Sequence, residues 1–193
     1  MKTPVMGNTF LILLNNQMNI ISTILEGVII INPVVYKDER GFFKEIFNHK
    51  KYADHNINNS FVQDNYSCSE KNVLRGLHFQ KKNPQGKLVM CTRGSVFDVV
   101  VDINPNSQTF CKYIGVELSE ENHTQIWIPP GYAHGFITLT ERADFLYKCS
   151  ALYDPNDESG IAWDDPDIRI EWPSSNIILS EKDRNNPLIK EIF

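Results

Sequence analysis

The chain has 193 residues, 41% hydrophobic and 22% charged, the balance of one well-buried globular domain and not of a disordered, collagenous or membrane-spanning chain. Nineteen Lys and Arg against twenty-four Asp and Glu give a formal charge of −5. That argues against nucleic-acid or membrane-surface partners and still leaves room for a local basic pocket that holds a phosphate. The opening segment, 1–17, carries an apolar run over 10–14 of only five residues, below the roughly 7–15 that a signal peptide needs. It reads as a disordered N-terminal extension before a second possible start at Met18, with a single domain over 18–193.

From there strand signals recur at short intervals, at 27–36, 42–47, 61–66, 73–79, 87–92, 96–103, 113–118, 125–128, 135–139 and 145–150. Each is rich in Val, Ile, Phe, Tyr or Leu and bounded by Gly, Pro, Asn or Asp. Around ten short strands without long intervening helices point to an all-β sandwich or closed barrel. Short helices are expected only at 48–55 and 186–192, the second with Pro187 in its first turn. The proline-rich stretch 151–193 reads as a lid or wrap over the barrel. In VFDVVVDIN, Phe97, Val99, Val101 and Ile103 share one face and Asp98, Val100 and Asp102 the other. The second face meets either solvent or a polar cavity. Cys68, Cys91, Cys111 and Cys149 form no C-x-x-C pair and read as reduced thiols of a cytoplasmic protein.

Several side chains could carry chemistry. His78 lies three residues after Arg75 in VLRGLHFQ. An imidazole moves protons near neutral pH, whereas a guanidinium that never loses its charge needs an anion. Lys87 follows a glycine turn in PQGKLVM, His134 follows the Pro129-Pro130-Gly131 turn, and Tyr147 alternates with Phe145 along a strand. Taken singly, each is more readily a solvated or core residue than a functional one. Together RGLHFQ, RGSVFDV and PPGYAHGF resemble the cupin pattern. A metal-binding cupin needs a second His where this chain has Gln80, and a Glu between Gln80 and Gly94 that it lacks, so a metal centre is not expected. Nucleophilic-serine, P-loop and dinucleotide motifs are absent from the sequence.

From about Met18 onward the chain resembles the dTDP-4-dehydrorhamnose 3,5-epimerase family, cupin-fold isomerases known as RmlC. The resemblance rests on DERGFFKE (38–45), FVQDNYS (61–67), NVLRGLHFQ (72–80), QGKLV (85–89), GSVFDVVVDI (94–103), QIWIPPGYAHGF (125–136), DFLYK (144–148), IEWP (170–173) and LSEKD (179–183), in the family's order. It implies a jelly-roll β-barrel with a few short peripheral helices, a dTDP-sugar substrate, no metal or other cofactor, and a homodimer with exchanged N-terminal strands. By position it implies His78 as general base, Asp183 as the carboxylate that orients it, Tyr147 as general acid and Lys87 beside the developing enolate. It further implies that Arg40, Phe43, Glu45, Gln63, Asp64, Asn65, Arg75, His134, Glu158 and Lys182 line the dTDP-sugar site, Arg40 and Glu45 reaching it from a partner subunit.

The chemistry fits that assignment. A ketone at C4 acidifies the protons at C3 and C5. Epimerisation then needs a base, a cation at the oxygen and an acid on the opposite face. Two further readings remain at this stage. One is a mono-epimerase of another dTDP-4-keto-deoxyhexose, and the other a non-catalytic cupin that binds a sugar nucleotide.

Overall fold

The computed structural model describes residues 17–193; the extension expected at 1–17 lies outside them except for its last residue. The chain runs through β1 (Asn19–Ser22), β2 (Ile29–Asn32), a hairpin of β3 (Val35–Asp38) and β4 (Gly41–Lys44), helix α1 (His49–Ala53), β5 (Gln63–Glu70), β6 (Leu74–Gln80), β7 (Lys87–Arg93) and β8 (Ser95–Asp102). It continues through β9 (Tyr113–Ser119), β10 (Gln125–Ile128), β11 (Tyr132–Thr138), β12 (Arg142–Cys149), β13 (Glu158–Gly160), helix α2 (Glu181–Arg184) and a 3-10 turn at Ile189–Glu191. The strand expected over 27–36 is two strands, because Pro33 lies between them and has no N–H to give a ladder. The helix expected over 186–192 is reduced to the 3-10 turn, and α2 precedes it.

Two antiparallel sheets face each other, one in the order β1-β2-β10-β7-β12-β5 and the other β13-β6-β11-β8-β9. Few sequence neighbours pair, the mark of a jelly roll in which the chain passes back and forth between sheets. The fold is the cupin-type jelly roll that the sequence implies. Alternation fills the space between the sheets: Val89 and Cys91 of β7, Val96 and Val100 of β8, Ile126 of β10, Phe136 of β11 and Phe145 of β12 form one core cluster. Each such side chain stabilises by roughly 1.5–3 kcal/mol when fully buried.

Both outer faces are also covered. Ile31, Leu88 and Trp127 pack under Tyr52 and Ile57 from the α1 region, where Asn48 caps α1 by accepting from the Lys51 N–H. On the other sheet Leu77, Phe79, Val99 and Val101 pack under Ile161, Ile168 and Ile189, so the stretch 151–193 is the wrap that its composition suggests. This resolves the two faces of β8. The apolar one lies under the C-terminal wrap, and the face with Asp98 looks into the barrel, where Asp98 is wholly buried.

Candidate active site

Arg75 and His78 are three residues apart, and on a regular strand such a spacing sends side chains to opposite faces. Here β6 bulges. Opposite β11, His78 pairs with His134 and Arg75 with Phe136, so β6 spends three steps where β11 spends two. The bulge depends on glycine: Gly76 has φ +134°, and a Cβ on it would lie 2.6 Å from the Cα of Gly135. The extra residue turns Arg75 and His78 onto the same, inward face, and both line a cavity of about 530 Å³ between the sheets.

His78 stands on the five-stranded sheet. Its Nε2 lies 2.5 Å from Oδ1 of Asp183, which α2 delivers from the C-terminal wrap and which is 4% exposed. Ser180 caps α2 by accepting from the Asp183 N–H. Burial pushes the Asp183 carboxyl up. The hydrogen bond and charge of His78, the Ser180 hydroxyl and the Gly76 N–H outweigh it and hold the carboxyl below its ordinary value. At the rim Glu158 accepts from the Tyr153 hydroxyl at 2.7 Å and from the Lys182 ammonium. There too burial raises the pKa, and Lys182, Tyr153 and His78 together bring it below the ordinary carboxyl value.

The opposite wall, on the six-stranded sheet, carries Lys87 at the start of β7 and Tyr147 on β12. Burial lowers the Lys87 pKa, against which Cys149, Asp98 and Glu158 pull it back up. Burial raises that of Tyr147, with Cys149 adding to the rise and the Asn65 amide and Arg75 opposing it. The phenol therefore stays protonated through the neutral range. Arg75 donates from Nε to Ser69 at 2.9 Å and from a terminal nitrogen to the Cys68 carbonyl at 3.3 Å, and among the described residues it has no carboxylate within salt-bridge distance. Its charge faces a cavity able to take an anion. His134 is buried in the cavity wall, with Nε2 2.8 Å from Oδ2 of Asp98 and its ring stacked on Phe145.

The sequence-derived residues thus divide into two groups. His78, Lys87, Tyr147, Asp183, Arg75, His134, Glu158 and Lys182 surround the main cavity. Asn65 lines a smaller recess that shares His78, Lys87, Tyr147 and Glu158 with it, and Gln63 donates to Asn65 and accepts from the Tyr153 N–H. Asp64 instead points to the outer face, where both its oxygens accept from Lys148 at 2.9 Å. Arg40, Phe43 and Glu45 lie on or just after the β3–β4 hairpin, paired with Asp38, exposed to solvent and paired with Lys51 respectively. None of these four lines the cavity within this chain. Sequence reasoning missed Tyr153 and Ser180, which no strand pattern reaches, and left Asp98 without a role.

Gln80, at the position of a metal cupin's second histidine, spends its amide on backbone groups: it donates to Asn83 and Leu152 and accepts from Asp154. Among the described residues no helix is long and apolar enough to cross a membrane.

The profile of the dTDP-4-dehydrorhamnose 3,5-epimerase family matches residues 22–191. The enzyme of that name from Escherichia coli K12 is 53% identical over 180 residues, 91% of this chain and 97% of its own length. That from Methanothermobacter thermautotrophicus is 50% identical over 178 residues, 91% and 96% of the two chains. Among solved structures, Legionella pneumophila dTDP-6-deoxy-D-glucose-3,5-epimerase RmlC, in complex with dTDP-4-keto-L-rhamnose, superposes with a TM-score of 0.90 at 49% identity, covering 92% of this chain and 95% of that one. Barrel, cavity and sequence agree, and the chain belongs to the dTDP-4-dehydrorhamnose 3,5-epimerase family.

Proposed function

We propose that this chain is a dTDP-4-dehydrorhamnose 3,5-epimerase, an isomerase that converts dTDP-4-dehydro-6-deoxy-D-glucose to dTDP-4-dehydro-L-rhamnose. The observation that carries the reading is the placement of a His–carboxylate pair on one sheet and of Tyr147 and Lys87 on the other. Packed sheets stand ~10 Å apart, so a sugar ring between them shows one face to each. Inversion at carbon requires that: a proton leaves on one face and another arrives on the other.

His78 takes the C–H proton. Asp183 fixes the ring and stabilises its cation, as a carboxylate does for an imidazole base. The electron pair moves to the C4 oxygen, where the Lys87 ammonium receives the charge, and a cation whose pKa burial has lowered shares its proton readily with an enolate. The Tyr147 O–H gives its proton to the far face and becomes a phenolate, which solvent reprotonates as His78 releases the proton it took. The same cycle serves C3 and C5, both activated by the one ketone, and no electron is gained or lost, so the chemistry needs no redox cofactor. Arg75, His134, Glu158, Lys182, Gln63 and Asn65 are assigned to holding the nucleotide sugar, with Arg75 at its diphosphate.

The hairpin segment with Arg40, Phe43 and Glu45 belongs in this reading to a homodimer with exchanged N-terminal strands. In support, the hairpin leaves Tyr36, Phe42 and Phe43 exposed and pairs with neither sheet, an apolar patch that a partner would cover. Four free cysteines fit work in the reducing cytoplasm.

The test is proton NMR of the substrate with the purified protein in deuterated water. Deuterium at both C3 and C5 of an inverted product is the expected outcome. Label at one carbon would make the chain a mono-epimerase, and label at neither would end the proposal.

A further inference from the structure

The loops that follow β6 and β12 are stitched together beside the cavity. Gln80, the last residue of β6 and 5% exposed, donates its amide N–H groups to the Asn83 carbonyl at 2.8 Å and the Leu152 carbonyl at 3.3 Å, and accepts from the Asp154 N–H at 2.9 Å. Tyr153, between those two partners, gives its own N–H to Gln63 of β5 at 2.8 Å. Gln80 of one sheet thus holds Leu152 and Asp154, and Gln63 of the other holds Tyr153 between them. The grip sets where Tyr153 stands and so where its hydroxyl meets Glu158. The adjoining loop is held as firmly, with Asp157 accepting from the N–H groups of Lys81, Lys82 and Asn83.

These bonds bridge the two walls of the site. Gln80 lies two residues beyond His78 on the five-stranded sheet, and Gln63 lies two residues before Asn65, which pairs with Tyr147, on the six-stranded one. We propose that Gln80 is a positioning residue, which through Tyr153 and Gln63 holds the two sheets at the separation that couples proton removal by His78 to proton return by Tyr147. The proposal rests on the epimerase reading above. A buried carboxamide with three partners inside a low-dielectric seam is a rigid strut, and a displacement near 1 Å between reacting groups can cost up to about 10²-fold in rate.

A strut of this kind has a signature that simple destabilisation lacks. In deuterated water, His78 that has taken a proton exchanges it with solvent. If Tyr147 is then too far away, the same base hands deuterium back to the same face, and labelled starting sugar appears in place of inverted sugar. The measurement is the initial ratio of labelled starting sugar to inverted sugar, by NMR, for wild type, Gln80→Met and Gln80→Glu. Met keeps length and removes all three bonds, whereas Glu retains the acceptor for Asp154 and loses both donors.

The expected ratio rises about tenfold in Gln80→Met, with Gln80→Glu between it and the wild type. A ratio equal to the wild type in the folded variants, whatever their total rate, overturns the strut. Should Gln80→Met not fold, Gln80→Glu decides alone. A wild-type protein that labels neither carbon removes the epimerase reading and this inference together, whereas wild-type labelling with unchanged variant ratios removes only the inference.

Discussion

Two histidine–aspartate pairs stand side by side in this barrel, and they are built for different work. His78 and His134 are register partners on adjacent strands. The side chain of His78 is 28% exposed to the cavity and reaches a carboxylate brought by a four-residue helix from the far end of the chain. That of His134 is 7% exposed, stacks on Phe145 and reaches a carboxylate on the neighbouring strand β8. Asp98 leaves its other oxygen without a hydrogen-bond partner among the described residues. One imidazole can approach a substrate carbon, and the other is a fixed ring in the wall. Similar chemistry in two degrees of enclosure thus leaves one imidazole open to a bound molecule and builds the other into the wall.

Mutation should break this comparison in graded ways. The largest effect is expected for His78→Ala, which removes the base: kcat should fall ~10³-fold, and the buried Asp183 carboxylate left without its partner should cost about 1–3 kcal/mol of stability. Near-normal turnover in that variant would sink the mechanism. Tyr147→Phe comes next, with inversion reduced about 10²-fold while solvent exchange into the starting sugar continues, because the base on the opposite wall is intact. Loss of exchange as well would show that Tyr147 does more than return the proton.

The buried pair should answer in stability. Asp98→Ala leaves the His134 ring N–H unpaired in the core and is expected to cost about 2 kcal/mol, read by urea denaturation. Asp183→Asn, at the more open pair, should cost less stability than that and lower kcat instead. The reverse ranking would mean that the roles are exchanged.

The smallest effect concerns acid. Asp183 and Glu158 are both held below their ordinary values of 3.8 and 4.5, so the native state binds fewer protons than the unfolded chain. Their stabilisation is whole at neutral pH, declines as pH falls through the ordinary values, and is gone below the depressed ones. The melting temperature of Asp183→Asn should accordingly fall less steeply than that of the wild type as pH drops through about 3.8 and below.

Much of the site is legible in the sequence because much of it lies on strands. Alternation puts Val89 and Lys87 on one face of β7, and Phe145 and Tyr147 on one face of β12, so the core residues point to the functional ones. What alternation cannot supply is long-range closure. Asp183 meets His78 across 105 positions from a helix too short to show any period, and only family resemblance identifies it. Tyr153 is aimed by glutamines 73 and 90 residues earlier. The inward aspartates of β8 were ambiguous because both faces of that strand are covered, and the cover over one of them comes from a loop-rich segment with no pattern of its own.

The bulge in β6 links two glycines across strands. A Cβ at Gly76 would meet the Gly135 backbone, and a Cβ at Gly135 would lie 2.7 Å from the Arg75 carbonyl oxygen. Neither position can take a side chain, and no change at the other relieves the clash, because what each Cβ would meet is backbone. A side chain at either one would force the two backbones apart at the bulge that brings Arg75 and His78 to one face. A guanidinium and an imidazole on one wall of the cavity thus depend on two residues that bring no functional group of their own, and tolerance to mutation there is set by backbone distance.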